Sequence, residues 1–324
     1  MNAASLARWT PLLGLVVWAG LVAARAPRLA DEATLAELLV SFVPLVLVPL
    51  VLPLAVAGDM SREPGRWARA LALAHAVGAL AVAVGVLLPT GGAASLALAG
   101  LWLAFTGLAA LHGLHRFRTR ARLSLAELVI DLALLWLPGA AVWLLVYRGE
   151  LVLGGFGGLA ALLTASHFHA AGFATLMMTG LLGRALAGIT APVASTIYRL
   201  TAPALLLAFP LLAAGIGGAI RPLELAGAGL YAVFLPVLAA LQIRAAIGTR
   251  GPTLWRGLLV LSALAVLFAT AFAARFAMQG FYGAAVPIST MLRYHALVNM
   301  LGFLALGLLA WSRLRPAPLA GPAK

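Results

Sequence analysis

The chain has 324 residues, 64% hydrophobic and 10% charged, with a mean hydropathy of +1.06. A soluble domain is nearer half apolar and a quarter charged, so a soluble enzyme, a disordered chain and a secreted disulfide scaffold are all excluded. The net charge is +13, but its arginines are scattered between apolar runs and assemble no basic, aromatic-studded groove, which argues against nucleic acid as a partner. The chain has no cysteine, which removes disulfides, thiolate metal sites, Fe–S clusters and thiol nucleophiles.

A membrane-spanning helix needs about 20 apolar residues. The apolar runs are long and continuous rather than alternating, so the expected fold is all-α: a polytopic bundle of about ten transmembrane helices in contact with the lipid bilayer. In chain order the predicted spans are Thr10–Ala24, Leu38–Ala57, Trp67–Leu88, Leu96–His112 and Leu123–Tyr147. Gly157–Leu182, Leu200–Gly218, Leu225–Ile243, Leu254–Phe276 and Val286–Ser312 complete the set. The first is short and reads as a signal anchor rather than a cleaved signal peptide, because Arg25-Ala26-Pro27-Arg28 follows it instead of a small-residue cleavage site. Residues 1–314 read as one transmembrane domain, and the Pro/Ala-rich 315–324 as a disordered tail.

The loops alternate in charge. Arg8, Arg62, Arg66, Arg69, the four arginines of 116–122, Arg184, Arg199, Arg244, Arg250, Arg256, Arg313, Arg315 and Lys324 fall on one side, 16 of the 22 basic residues. The other side holds 6: Arg25, Arg28, Arg148, Arg221, Arg275 and Arg293. Cytoplasmic loops are the arginine-rich ones, so both termini are expected in the cytoplasm. Prolines interrupt several spans: Pro44, Pro49 and Pro53 in the second, Pro138 in the fifth, Pro203 and Pro210 in the seventh, Pro236 in the eighth. They read as kinks, or as broken helices whose freed backbone groups line a site.

Ionisable groups inside a bilayer are costly and face the bundle or a cavity. Ser166-His167-Phe168-His169 lies halfway along the sixth span. Two residues apart on a straight helix means roughly 200° between the two imidazoles, so one ion cannot bind both unless the helix is distorted. In the last span, His295 and Asn299 are i, i+4 and share a face, and Gly302 admits a close neighbour. By depth, His295 lies within a few turns of His167, and a shared polar site of His167, His169, His295 and Asn299 is expected for a proton, an ion or a small polar substrate. Imidazoles also suit metals and haem, which makes His167, His169 and His295 an alternative metal-ligand set. Glu127 and Asp131 share a face of the fifth span, and Asp131 is the most deeply placed acid. It reads as a carboxylate paired with an arginine of 116–122, or as a proton or cation relay. His75 reads as a packing histidine, and His112 and His115 as interfacial. No phosphate-binding glycine loop, H-E-x-x-H, G-x-S-x-G or Ser-x-x-Lys occurs, and no catalytic residue is assigned.

Three blocks carry a resemblance. Thr164-Ala165-Ser166-His167-Phe168-His169-Ala170-Ala171-Gly172-Phe173 resembles the S/T-H-F-H-x-A-G-F block of YndJ-like bacterial membrane proteins. Tyr294-His295-Ala296-Leu297-Val298-Asn299-Met300-Leu301-Gly302-Phe303 resembles that family's histidine and L-N-x-x-G-F block. Pro44-Leu45-Val46-Leu47-Val48-Pro49-Leu50, which follows Glu37, is similar to its P-L-V-L-V-P-L segment. Ala170 stands where the family has an aromatic, and Ala296 where it commonly has glycine. The resemblance implies a multi-pass protein of the bacterial inner membrane and a family often labelled as transporters. The functional expectation is a transporter with a His/Asn site between the sixth and tenth spans. The alternatives are a histidine-liganded metal or haem redox protein, and a non-catalytic membrane subunit.

Overall fold

The computed structural model describes residues 3–57, 64–120, 124–279 and 285–319. Arg62, Arg122 and Lys324, counted in the charge bias, lie outside these residues, as does 320–324 of the expected tail. Among the described residues, ten helices are long and apolar enough to cross a membrane. They are α1 Thr10–Arg28, α2 Glu32–Ala57, α3 Gly65–Leu87, α4 Ala93–Thr119, α5 Leu125–Arg148, α6 Gly158–Ala187, α7 Pro192–Gly217, α8 Arg221–Gly248, α9 Thr253–Ala277 and α10 Ile288–Leu314. Each answers to one predicted span, and no strand forms among the described residues.

The chain gathers into two compact units. The first comprises described residues within 1–122 and 131–174, and the second those within 123–130 and 175–319. α5 and α6 therefore each contribute to both.

In the first unit, α2 is the central helix. From Ala36 to Val51 every side chain is buried, as expected of a helix that is apolar on all sides. Asp31 caps its start, accepting from the Thr34 N–H at 2.8 Å. α1 lies against it: the Trp18 indole donates to Leu38 O at 2.7 Å, and Gly14 sits where a Cβ would come within 1.7 Å of Leu45 O. No side chain larger than hydrogen fits there.

The second unit is tied by polar contacts between neighbouring helices. The Gln242 amide on α8 donates to Leu259 O at 2.8 Å and to Ser262 Oγ at 2.9 Å. Ser262 in turn donates to Phe303 O on α10 at 2.7 Å. Gly302 is the close approach its sequence context suggests, since a Cβ there would lie 2.8 Å from Ala265 Cβ.

Among the described residues, four stretches depart from the α register and wind as π-helix: Val43–Leu47 in α2, Phe168–Ala174 in α6, and Met291–Ala296 and Val298–Ala305 in α10. They fall on the three sequence blocks singled out above.

Candidate functional site

The proline block shows why the helix changes register. In the π-turn the Val48 N–H bonds Val43 O, so it does not serve Pro44 O four residues back. The residue five beyond Pro44 is Pro49, which has no N–H to give. Pro44 O is therefore left without a backbone donor inside the first unit. His75 Nε2 fills the vacancy at 2.8 Å. Because a carbonyl only accepts, Nε2 carries the proton.

The histidine block of α6 carries a run of side chains that bond the carbonyl four residues back. Thr164 bonds Ala160 O, Ser166 bonds Leu162 O, His167 Nδ1 bonds Leu163 O and His169 Nδ1 bonds Ala165 O, at 2.8 to 3.0 Å. Such back-bonding competes with the main-chain ladder and bends helices, and the π-turn begins at Phe168. The two imidazoles part company here. His167 is exposed and His169 fully buried. The Trp102 indole donates to His169 Nε2 at 3.1 Å. An indole N–H only donates, so Nε2 is the acceptor and Nδ1–H points to Ala165 O. His169 is thus a neutral ring with both nitrogens used, and a metal at Nε2 would have to displace Trp102. The Trp102 ring stacks on His169 with centroids 6.0 Å apart, and His75, Trp102 and Phe105 pack edge-on or tilted against one another at 4.9 to 6.4 Å.

In the second unit, His295 Nδ1 bonds Ala269 O on α9 at 3.0 Å. The same tautomer argument leaves Nε2 as acceptor for the Asn299 amide, 3.4 Å away. His295 and Asn299, paired on sequence grounds, do touch. Both are half-buried. Tyr294 stacks on Phe272 at 5.3 Å. His167 and His169 belong to the first unit and His295 and Asn299 to the second. Among the described residues no group of three or more His, Cys, Asp or Glu side chains gathers as a metal ion would need.

The charged residues divide likewise. Asp131, completely buried in the first unit, meets Arg116 Nε at 2.8 Å and Arg120 Nη2 at 2.7 Å. Arg116 also donates to Ala55 O, near the end of α2. Glu127, in the second unit, is held by Arg184 through two parallel bonds of 2.6 and 2.7 Å, the fork geometry that suits guanidinium to carboxylate. The Leu319 N–H adds a third donor at 3.0 Å. The two acids share a helix face in sequence but answer to different partners.

Sequence reasoning missed the most elaborate cluster. Glu37 on α2 accepts from Arg148 Nη1 at 2.9 Å, Tyr147 Oη at 3.0 Å and Arg25 Nη2 at 2.8 Å. Arg148 continues to Ser95 Oγ, Leu88 O and Pro89 O at 2.7 to 3.2 Å. Glu37, Ser95, Tyr147 and Arg148 line a small cavity of about 20 Å³. The available signal was an acid directly before the second apolar run. Arg25 and Arg148 were read as loop charges, because their long stems reach inward from span ends.

A family of YndJ-like proteins matches residues 38–303. The membrane protein YndJ of Bacillus subtilis (strain 168) is 26% identical over 301 residues, covering 93% of this chain and 52% of that protein. The chain thus spans about half the length of this curated relative. No solved structure matches.

Proposed function

The chain belongs to the YndJ-like family, and from that premise we propose that it is a transporter of a small polar or ionic solute, in the bacterial inner membrane with both termini in the cytoplasm. The observation that carries the reading is that one membrane-spanning helix, α5, is pinned near both ends by buried ion pairs. Asp131 near one end holds Arg116 and Arg120, and Arg148 at the other holds Glu37. Seventeen residues separate them, about 26 Å of helix, close to the hydrocarbon thickness of about 30 Å. Buried ion pairs are a poor way to gain stability, because desolvation offsets the attraction. Two of them closing one span at both ends suit gates that open in turn. Between these levels, within the first unit, lie the π-turns of α2 and α6, whose irregular backbone is the kind found at binding sites, and the His75–Trp102–His169 cluster. His167 and His169 in one unit, and His295 with Asn299 in the other, supply further groups for a polar solute or a proton.

The test uses the full chain reconstituted in vesicles enclosing a pH-sensitive dye, challenged with gradients of sodium, potassium, chloride and protons. Protein-dependent flux that falls in Asp131→Asn and in His→Gln variants at 167, 169 or 295 is the expected result. Because the chain has no cysteine, single cysteines report gating without background. Ala99→Cys should become reactive to an impermeant maleimide from outside when Glu37→Gln is added. Vesicles no more permeable than empty ones, with cysteine reactivity unmoved, would leave a non-transporting membrane subunit as the better reading.

A further inference from the structure

We infer that the cavity beside Glu37 in the first unit is a binding site for a small monovalent anion. Four observations converge on it. The first is charge: Arg25 and Arg148 share the single carboxylate of Glu37, so the cluster carries one positive charge more than its acid balances. The second is unused donors. Arg148 has five N–H groups, and its bonds to Ser95, Glu37, Leu88 and Pro89 engage four of them. The fifth is on Nη1, and Arg148 is 5% exposed. Ser95, 2% exposed, accepts from Arg148 Nε through its oxygen, which leaves its hydroxyl hydrogen to donate. Both residues line the cavity.

The third observation is a helix end. Ser95 lies in the first turn of α4, where the first intrahelical bond runs from Leu96 N–H to Gly92 O at 3.1 Å. Gly92 has no side chain to cap that turn, and the N-terminal end of a helix carries partial positive charge. The fourth is size and lining. The space is about 20 Å³, room for one water-sized body. Its other walls, such as Val82 and Leu98, are apolar. Glu37 does not close the site to an anion, because both its oxygens are turned to donors: Oε1 to Arg148 and Tyr147, Oε2 to Arg25. An ion the size of chloride, taking the Arg148 Nη1–H and the Ser95 hydroxyl, brings the cluster to neutrality.

The site stands whether or not the protein transports. The experiment takes the full chain in detergent micelles in sodium gluconate, whose anion is too large for the space, and titrates sodium chloride at constant ionic strength. Heat of binding and the melting midpoint are followed together. Expected are saturable binding of a single chloride and a midpoint that rises with its concentration. Ser95→Ala should keep the fold and weaken chloride about tenfold, the loss of one hydrogen bond to a charged group. Glu37→Gln should tighten binding, because it removes the competing negative charge. A purely structural cluster would give the opposite sign or none. Identical melts in chloride and gluconate overturn the site, as does Ser95→Ala binding chloride like the parent, or Glu37→Gln binding it more weakly. Occupancy without flux upholds the site and counts against transport. Flux without occupancy overturns the site and leaves transport intact.

Discussion

Trp102 and His169 show how one pair of side chains fixes a chemical state. The indole can only donate, so it sets the imidazole tautomer, and Ala165 O receives the other end. Replacing Trp102 with Phe keeps most of the volume and removes the donor. A buried acceptor without a partner costs about 1–3 kcal/mol, so Trp102→Phe should unfold earlier in detergent by that amount. An unchanged midpoint would mean that Nε2 finds another donor. Asp31 makes a second case, at the entrance to α2. The Thr34 backbone N–H, with help from the Thr34 side chain, holds its carboxyl below the usual aspartate range. A depressed value means that the cap contributes fully above the ordinary value of about 3.9 and loses its contribution as pH falls through the lowered one. Asp31→Ala should cost about 1 kcal/mol at neutral pH. Asp31→Asn should keep the cap and flatten the acid side of the stability profile. Equal acid sensitivity in the Asp31→Asn variant and the parent would show that Asp31 is not the group responsible.

At the scale of the element, the π-turn of α2 follows from two prolines five residues apart. Pro44 offers a carbonyl, Pro49 has no N–H for it, and His75 supplies the missing donor. The histidine and the second proline should therefore be energetically coupled. Pro49→Ala restores a backbone N–H in the π position, so His75→Phe should cost less in that background than in the parent. A double-mutant cycle measures the difference, expected between about 0.5 and 3 kcal/mol for groups sharing one acceptor. Additive effects would separate the histidine from the proline. The existence of α2 was legible in its apolar run, and its prolines announced a break. The type of break was not, because it depends on whether α3 can deliver an imidazole to that carbonyl. The same holds in α6: the spacing of His167 and His169 said that the rings diverge, while Trp102 decided which ring is buried.

For the whole molecule, the arginine bias makes a prediction of its own. Reporter fusions within Leu88–Ser95 should read outside and those within Arg116–Arg122 inside. The reverse at both places would invert the orientation and move the proposed anion site to the cytoplasmic end. The number of spans, their order and approximate ends, and the all-helical class were all set by the sequence alone. A bilayer offers no water to backbone polar groups, so a span satisfies most of them within its own helix, and a local property, some 20 apolar residues in a row, suffices to specify each element. The partners of the buried charges were decided by the tertiary structure. Glu127 and Asp131 stand four residues apart, yet one is forked by Arg184 and the other held by Arg116 and Arg120. Glu37 waits for arginines 12 residues before it and 111 after it. Pairing of this kind rests on which helices become neighbours and at what depth, and on the reach of flexible arginine stems, and neither is written in the period or polarity of a single span.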